Sequence, residues 1–171
     1  MKKYFLPIFV VGGFLLGLSF GRIFDLITVL GRNIPQDDLV SDYSIATIWA
    51  FGLSALLLLL PMKKSERPAI FWVWFGRCAV TLVFMLFYEH NYGLDAYNYF
   101  SRALESQAPE YTFYKDSGTQ FIMWLTWNMN AFLPVFGSYH ALKVIYSFIG
   151  LLGVFLLYKA WTHHFERENV R

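Results

Sequence analysis

Ala69-Ile70-Phe71-Trp72-Val73-Trp74-Phe75-Gly76-Arg77-Cys78-Ala79-Val80-Thr81-Leu82-Val83-Phe84-Met85-Leu86-Phe87-Tyr88 holds a single ionised side chain, Arg77, in a run that is apolar around the whole circumference of a helix. A helix needs roughly 20 such residues to cross the ~30 Å hydrocarbon layer of a bilayer. A segment without a polar face seeks lipid or protein on every side. Four more blocks have the same character: Tyr4 to Gly21 with an apolar extension to Leu30, Tyr43 to Pro61, Thr119 to Val135, and Tyr139 to Tyr158. Together they predict an all-α polytopic membrane helix bundle, a single membrane domain over residues 1–171 with five transmembrane helices, its surroundings membrane lipid.

Composition points the same way. Apolar residues are 57% of the chain and aromatic residues 20%, a share suited to the interior and interfacial belts of a bilayer protein. A net charge of +2, dispersed along the chain, gives no nucleic-acid footprint. The lone Cys78 excludes an internal disulfide framework and a cysteine-only metal site. The first apolar block follows Met1-Lys2-Lys3 but outruns a signal-peptide core and lacks an A-x-A-like cleavage site, so it is expected to remain attached.

Lysine and arginine bias sets the orientation. Lys2-Lys3 and the connection Met62 to Pro68 belong on the cytoplasmic side, which places the N-terminus in the cytoplasm and the acidic segment Ile34 to Asp42 outside. Residues 89–118 then form a periplasmic or extracellular loop of what we take to be a bacterial inner membrane. Within it Ala96, Tyr97, Phe100, Ala103 and Leu104 share one helical face opposite Arg102 and Glu105, as expected for an amphipathic juxtamembrane helix opened by Gly93 and closed by Pro109. Residues 119–158 form a helical hairpin about Phe136-Gly137-Ser138. If both of its arms cross, the basic tail 159–171 lies outside, against the charge bias. The alternative makes Thr119 to Val135 a re-entrant or interfacial segment, favoured by Asn128, Asn130 and Pro134, and returns the tail to the cytoplasm.

Several residue groups carry possible chemistry beside a structural explanation. Gly13, Gly17 and Gly21 form a small-residue ridge on which another helix, internal or from another chain, can pack closely. Arg22 and Asp25 can neutralise each other at the outer end of that block. Arg77, deep in its block, needs a snorkelling route, a contact with another subunit, or a substrate phosphate. Glu89, His90, Asp95, Glu110 and Asp116 gather around the outer loop, where carboxylates can coordinate a divalent cation or accept a proton. Their spacing matches no metal signature, and Asp95 equally suits the N-cap of the loop helix. His140, His163 and His164 suit ordinary hydrogen bonding, while a single histidine also suffices for a haem or chlorin.

The run Tyr92-Gly93-Leu94-Asp95-Ala96-Tyr97-Asn98-Tyr99-Phe100, then Ser117-Gly118-Thr119-Gln120-Phe121-Ile122, then Leu133-Pro134-Val135-Phe136-Gly137-Ser138-Tyr139-His140-Ala141-Leu142-Lys143, resembles the beginning of the GT-C superfamily of integral membrane glycosyltransferases. The resemblance covers about Val80 to Trp161 and implies transfer from a polyprenyl-phosphate sugar on the outer face. It implies Asp95 as the acidic residue that activates the acceptor, with Glu89 as a second acidic candidate. Tyr97 and Tyr99 would meet sugar or isoprenoid, and a divalent cation or a cationic side chain such as Arg77 would meet phosphate. Two crossings precede the similar region and further core helices are missing after it, which implies an incomplete module acting with an integral membrane partner. The other expectation is a noncatalytic structural or accessory subunit of a larger energy-converting or transport assembly. The sequence leaves open whether the chain is an enzyme.

Overall fold

The computed structural model describes residues 25–92, 95–104, 111–112 and 117–168, with side chains placed through residue 164. A helical turn at 25–30 precedes α1 (Leu39–Leu57), α2 (Arg67–Asn91), α3 (Asp95–Leu104), α4 (Gly118–Phe132) and α5 (Tyr139–Glu168). No strand occurs among the described residues. α1, α2 and Tyr139–His164 of α5 are each long and apolar enough to cross a membrane, the mark of an integral membrane protein. The block Tyr4 to Gly21, with Gly13, Gly17, Gly21 and Arg22, lies outside the described residues, as do Gly93 and Pro109.

α1 begins where the Asp38 side chain accepts the Ser41 amide hydrogen at 3.0 Å, satisfying one of the free donors of the first turn. Its inner hydroxyls bond back to carbonyls one turn earlier, Thr47 to Tyr43 and Ser54 to Ala50, so they enter an apolar setting without unmet polar atoms. Leu39, Tyr43, Ala46, Leu53 and Leu57 recur at helical spacing and face the interior.

In α2 the period changes midway. Ile70, Trp74 and Thr81 are buried at intervals of four and seven, and an unbroken α-helix would next turn Met85 and Tyr88 inward. A π-helical turn at Val80–Phe84, with the Met85 amide donating to the Val80 carbonyl, adds one residue and turns Leu86 and Glu89 inward instead. Trp74 then ties the three long helices together. Its indole N–H donates to Ser54 Oγ at 2.8 Å, and its ring meets Phe148 edge-on at 5.2 Å.

Opposite-charge pairs join α2 to α5 near both ends, Glu89 with Lys143 at 2.8 Å and Glu66 with Lys159 at 2.7 Å. α5 is therefore antiparallel to α2 and parallel to α1, and its tail lies at the same end as the basic connection 62–67. A count of five crossings would separate the tail from that connection; a Thr119–Val135 segment that does not cross keeps them together. α4 has 15 residues, about 22 Å of helix, and is shorter than the ~30 Å hydrocarbon layer. A capping box starts it, with Ser117 Oγ accepting from the Gln120 amide and Gln120 Oε1 accepting from the Ser117 amide.

The link from α4 to α5 is a tight turn in which the Ser138 amide donates to the Val135 carbonyl at 2.8 Å. Both central residues have positive φ, 51° at Phe136 and 71° at Gly137, the pattern that favours Asn-Gly. Phe136 is 80% exposed, so its ring adds little packing to offset its strained backbone. Phe136→Asn should raise stability by about 1 kcal/mol and Gly137→Ala should lower it by about 1 kcal/mol, read as opposite shifts in thermal unfolding in detergent micelles.

Candidate functional site

The shared end of the bundle concentrates its buried polar groups. Asp42, in the first turn of α1, is 2% exposed, and His140, in the first turn of α5, is 0% exposed. The first amides of α5 have no partner in their own helix and need acceptors from elsewhere. Ser138 Oγ accepts the Ala141 amide at 3.0 Å, while Asp42 Oδ1 accepts the His140 amide at 3.1 Å and the Ser138 hydroxyl. Asp42 Oδ2 lies 2.5 Å from His140 Nδ1. A carboxylate there requires the ring proton on Nδ1, which leaves Nε2 with its lone pair in the neutral imidazole. The Tyr43 ring packs on the imidazole at a 4.0 Å centroid distance.

Beside this cap, Glu89 Oε1 accepts from Tyr139 Oη at 2.6 Å and from Lys143 Nζ at 2.8 Å. The Lys143 ammonium also sits 4.8 Å from the centre of the Tyr139 ring. Two acid–base pairs from three helices thus lie side by side, joined through Tyr139 and His140. Tyr43 Oη, Glu89 Oε2 and His140 Nε2 are buried without a hydrogen-bond partner among the described residues.

Outside these pairs, α3, α4 and α5 enclose a cavity of about 240 Å³. Ala96, Tyr99 and Phe100 of α3 face Ile122 and Thr126 of α4, with Tyr139, Leu142, Lys143 and Tyr146 of α5 forming the third wall. The Thr126 and Tyr146 hydroxyls bond to each other at 2.7 Å across it. The cavity is apolar apart from hydroxyl groups and one ammonium, a lining suited to a hydrocarbon chain with a polar or anionic end.

The residues singled out by sequence occupy different settings. Asp95 is exposed at the first residue of α3, beside Ala96 and one turn from Tyr99 on the cavity wall. Tyr97 turns away from the cavity, donating its hydroxyl to the Pro35 carbonyl at 2.6 Å and packing its ring on Tyr139. Burial, with the negative charges of Asp37 and Asp42 adding to it, holds the Tyr97 phenol above its ordinary pKa. Glu89 is engaged by Tyr139 and Lys143. Arg77 also faces α5, about three turns of α2 from Glu89, its Nε donating to Ser147 Oγ at 3.3 Å. His90 Nδ1 lies 3.0 Å from the Leu30 carbonyl.

Of the acidic residues offered by sequence for a divalent cation, the two that are described, Glu89 and Asp95, lie in different settings. Glu89 is taken by Lys143, Asp95 is on the surface, and Glu110 and Asp116 lie outside the described residues. Among the described residues no group of three His, Cys, Asp or Glu side chains is arranged to hold a metal ion. Sequence reasoning did not find Asp42, Ser138, Tyr139 or Lys143. The one available signal was an aspartate placed immediately before the apolar run from Tyr43, and an acid in that position is ordinarily a solvated end of a helix.

Fold and site together define an integral membrane helix bundle with paired buried acids and bases beside an apolar cavity. No protein-family model matches the chain, and comparisons with curated proteins and with solved structures gave no significant match.

Asp42→Ala leaves the His140 ring N–H and backbone amide buried without their acceptor, and should destabilise the protein by about 3–5 kcal/mol. Adding His140→Leu should recover part of that loss, giving a non-additive double-mutant cycle in chemical unfolding. At the opposite end, the hydrogen bond from Lys159, aided by the Lys63 amide, holds the Glu66 carboxyl below its ordinary pKa. A lowered folded-state pKa stabilises the protein at pH values above the ordinary glutamate range, and that contribution disappears as the pH falls through it, below about 4. Glu66→Gln should therefore flatten the acid limb of thermal stability without creating a new alkaline limb.

Proposed function

We propose that this chain is a GT-C-like membrane module for glycosyl transfer from a polyprenyl-phosphate sugar, acting with an integral membrane partner at the outer face of a bacterial inner membrane. The observation that carries this function is the position of Asp95, an accessible carboxylate on the helix that walls the apolar cavity. In the transfer, an acceptor hydroxyl attacks the anomeric carbon and a new C–O bond forms. The bond from that carbon to the phosphate oxygen breaks, polyprenyl phosphate departs, and Asp95 takes the acceptor proton. Phe100, Ile122 and Leu142 offer apolar contact to the isoprenoid, and Tyr99 presents a ring and hydroxyl at the same wall.

In this arrangement Tyr4 to Gly21 crosses from a cytoplasmic N-terminus, α1 returns, α2 crosses outward and α5 inward. α4 enters the outer leaflet without crossing, residues 89–118 lie in the periplasm, and the basic tail joins Lys63 and Lys64 in the cytoplasm. This topology obeys the lysine and arginine bias that a five-crossing chain violates at its tail.

The test uses membranes carrying the full chain with its copurifying partners, supplied with labelled polyprenyl-phosphate sugars. Asp95→Asn should lower transfer by about 100-fold or more, the range typical of a lost general base. Asp38→Asn, which keeps an N-capping side chain on α1, should leave transfer near its starting level. Equal transfer with and without the Asp95 carboxylate would remove the proposed chemistry and favour a noncatalytic accessory subunit.

A further inference from the structure

Arg77 sits midway along α2, eleven residues after Glu66 and twelve before Glu89, the two acids that pair with α5 near its ends. It is about 15 Å of helix from Arg67, near the middle of a segment long enough to span hydrocarbon. The guanidinium reaches across to α5, where Nε meets Ser147 Oγ, and its Nη2 would lie 2.8 Å from a Cβ added at Gly150. Glycine at 150 makes room for the charge. A guanidinium remains protonated at any accessible pH, so its charge at this depth calls for a counter-charge.

The described residues offer none at that depth. None of the 12 Asp and Glu residues falls within Tyr4 to Gly21, Tyr43 to Pro61, Ala69 to Tyr88, Thr119 to Val135 or Tyr139 to Tyr158. Among the described residues, the ion pairs leave Arg77 without an acidic partner. A groove of about 390 Å³ runs along the α2–α5 seam, lined by Ala69, Ile70, Val73, Leu151, Val154 and Phe155 among others. Val73 is one turn before Arg77, and Val154 one turn after Gly150, so the groove lining shares a helix face with Arg77 on α2 and with Gly150 on α5. Val73 and Val154 are more than half exposed.

We propose that a transmembrane helix of a different integral membrane protein lies along this seam and brings an Asp or Glu side chain at mid-membrane depth to Arg77. Charge complementarity selects the occupant. Lipid phosphates reside at the headgroups, whereas a helix can hold a carboxylate at the middle of the hydrocarbon. The pairing is independent of glycosyl transfer and of Asp95.

The test is recovery of the complex from native membranes. A photo-crosslinking residue in place of Val73 or Val154 in the full chain should capture one protein with an Asp or Glu in the middle third of a transmembrane helix. Arg77→Leu, and the amide variant of that partner acid, should each reduce copurification in mild detergent by at least about thirtyfold, the loss expected for breaking a desolvated charge pair. Arg77→Lys, which keeps the charge, and Ser147→Ala, which removes only the neutral contact, should retain the complex, as should Asp95→Asn. If Arg77→Leu does not accumulate, Arg77→Gln compared with Arg77→Lys makes the same separation of charge from packing. Capture of a protein without such an acid, recovery unaffected by loss of the Arg77 charge, equal loss on Ser147→Ala, or an effect confined to bound phospholipid would each overturn the proposal.

Discussion

The Asp42 carboxylate sits where two parallel helices begin. α1 and α5 bring their N-termini together, and each terminus carries partial positive charge from aligned peptide dipoles and unbonded amides. Placed side by side, those ends repel. One carboxylate between them offsets both, since Asp42 belongs to the first turn of α1 and accepts the His140 amide from the first turn of α5. Its second oxygen takes the imidazole N–H of His140, so a charge at 2% exposure has a hydrogen-bond donor at each oxygen. The Ser138 hydroxyl completes the junction and explains why the preceding turn is so tightly held: a left-handed Phe136–Gly137 pair delivers Ser138 to the point where two helices need it.

Register along the rest of the bundle is set by charges near its ends and an inserted residue in its middle. Glu66 with Lys159 and Glu89 with Lys143 clip α2 to α5 in antiparallel order. Both pairs can form only because the π turn at Val80–Phe84 rotates the outer half of α2, bringing Glu89 inward while Tyr88 remains 52% exposed. A slip of one residue would bury the phenol and present the acid to lipid, which is costly for a charge. The same clips place Arg77 midway between the two ion pairs, where its guanidinium meets Ser147 of α5.

The polar end also arranges the two shorter helices beside it. α3 buries Phe100 and Ala103 against the bundle while leaving Asp95 accessible, and α4 closes over it without the length of a crossing helix. Their separation from α5 leaves room for an apolar ligand beside an exposed acid. Glu89, by contrast, gives its carboxylate to Lys143 and Tyr139 and acts as a structural clamp.

Much of this was legible because the bilayer imposes a simple rule: a long segment with no polar face must be a helix in lipid or in protein. That rule alone gave the all-α class and the three long helices, to within a few residues at most of their ends. Charge bias separated the two ends of the bundle and left the fate of Thr119–Val135 open between crossing and re-entry. The sequence by itself determined which segments avoid water, since that property is local and additive. Only the tertiary structure decided what the charges mean. Asp42 reads as a solvated helix end until α5 begins beside it, Glu89 as a loop acid until a π turn rotates it inward, and Arg77 as a stray cation until both neighbours fix its depth. The physical reason is that a charge takes its role from groups 50 to 98 residues away in the chain, and no local pattern encodes where those groups will lie.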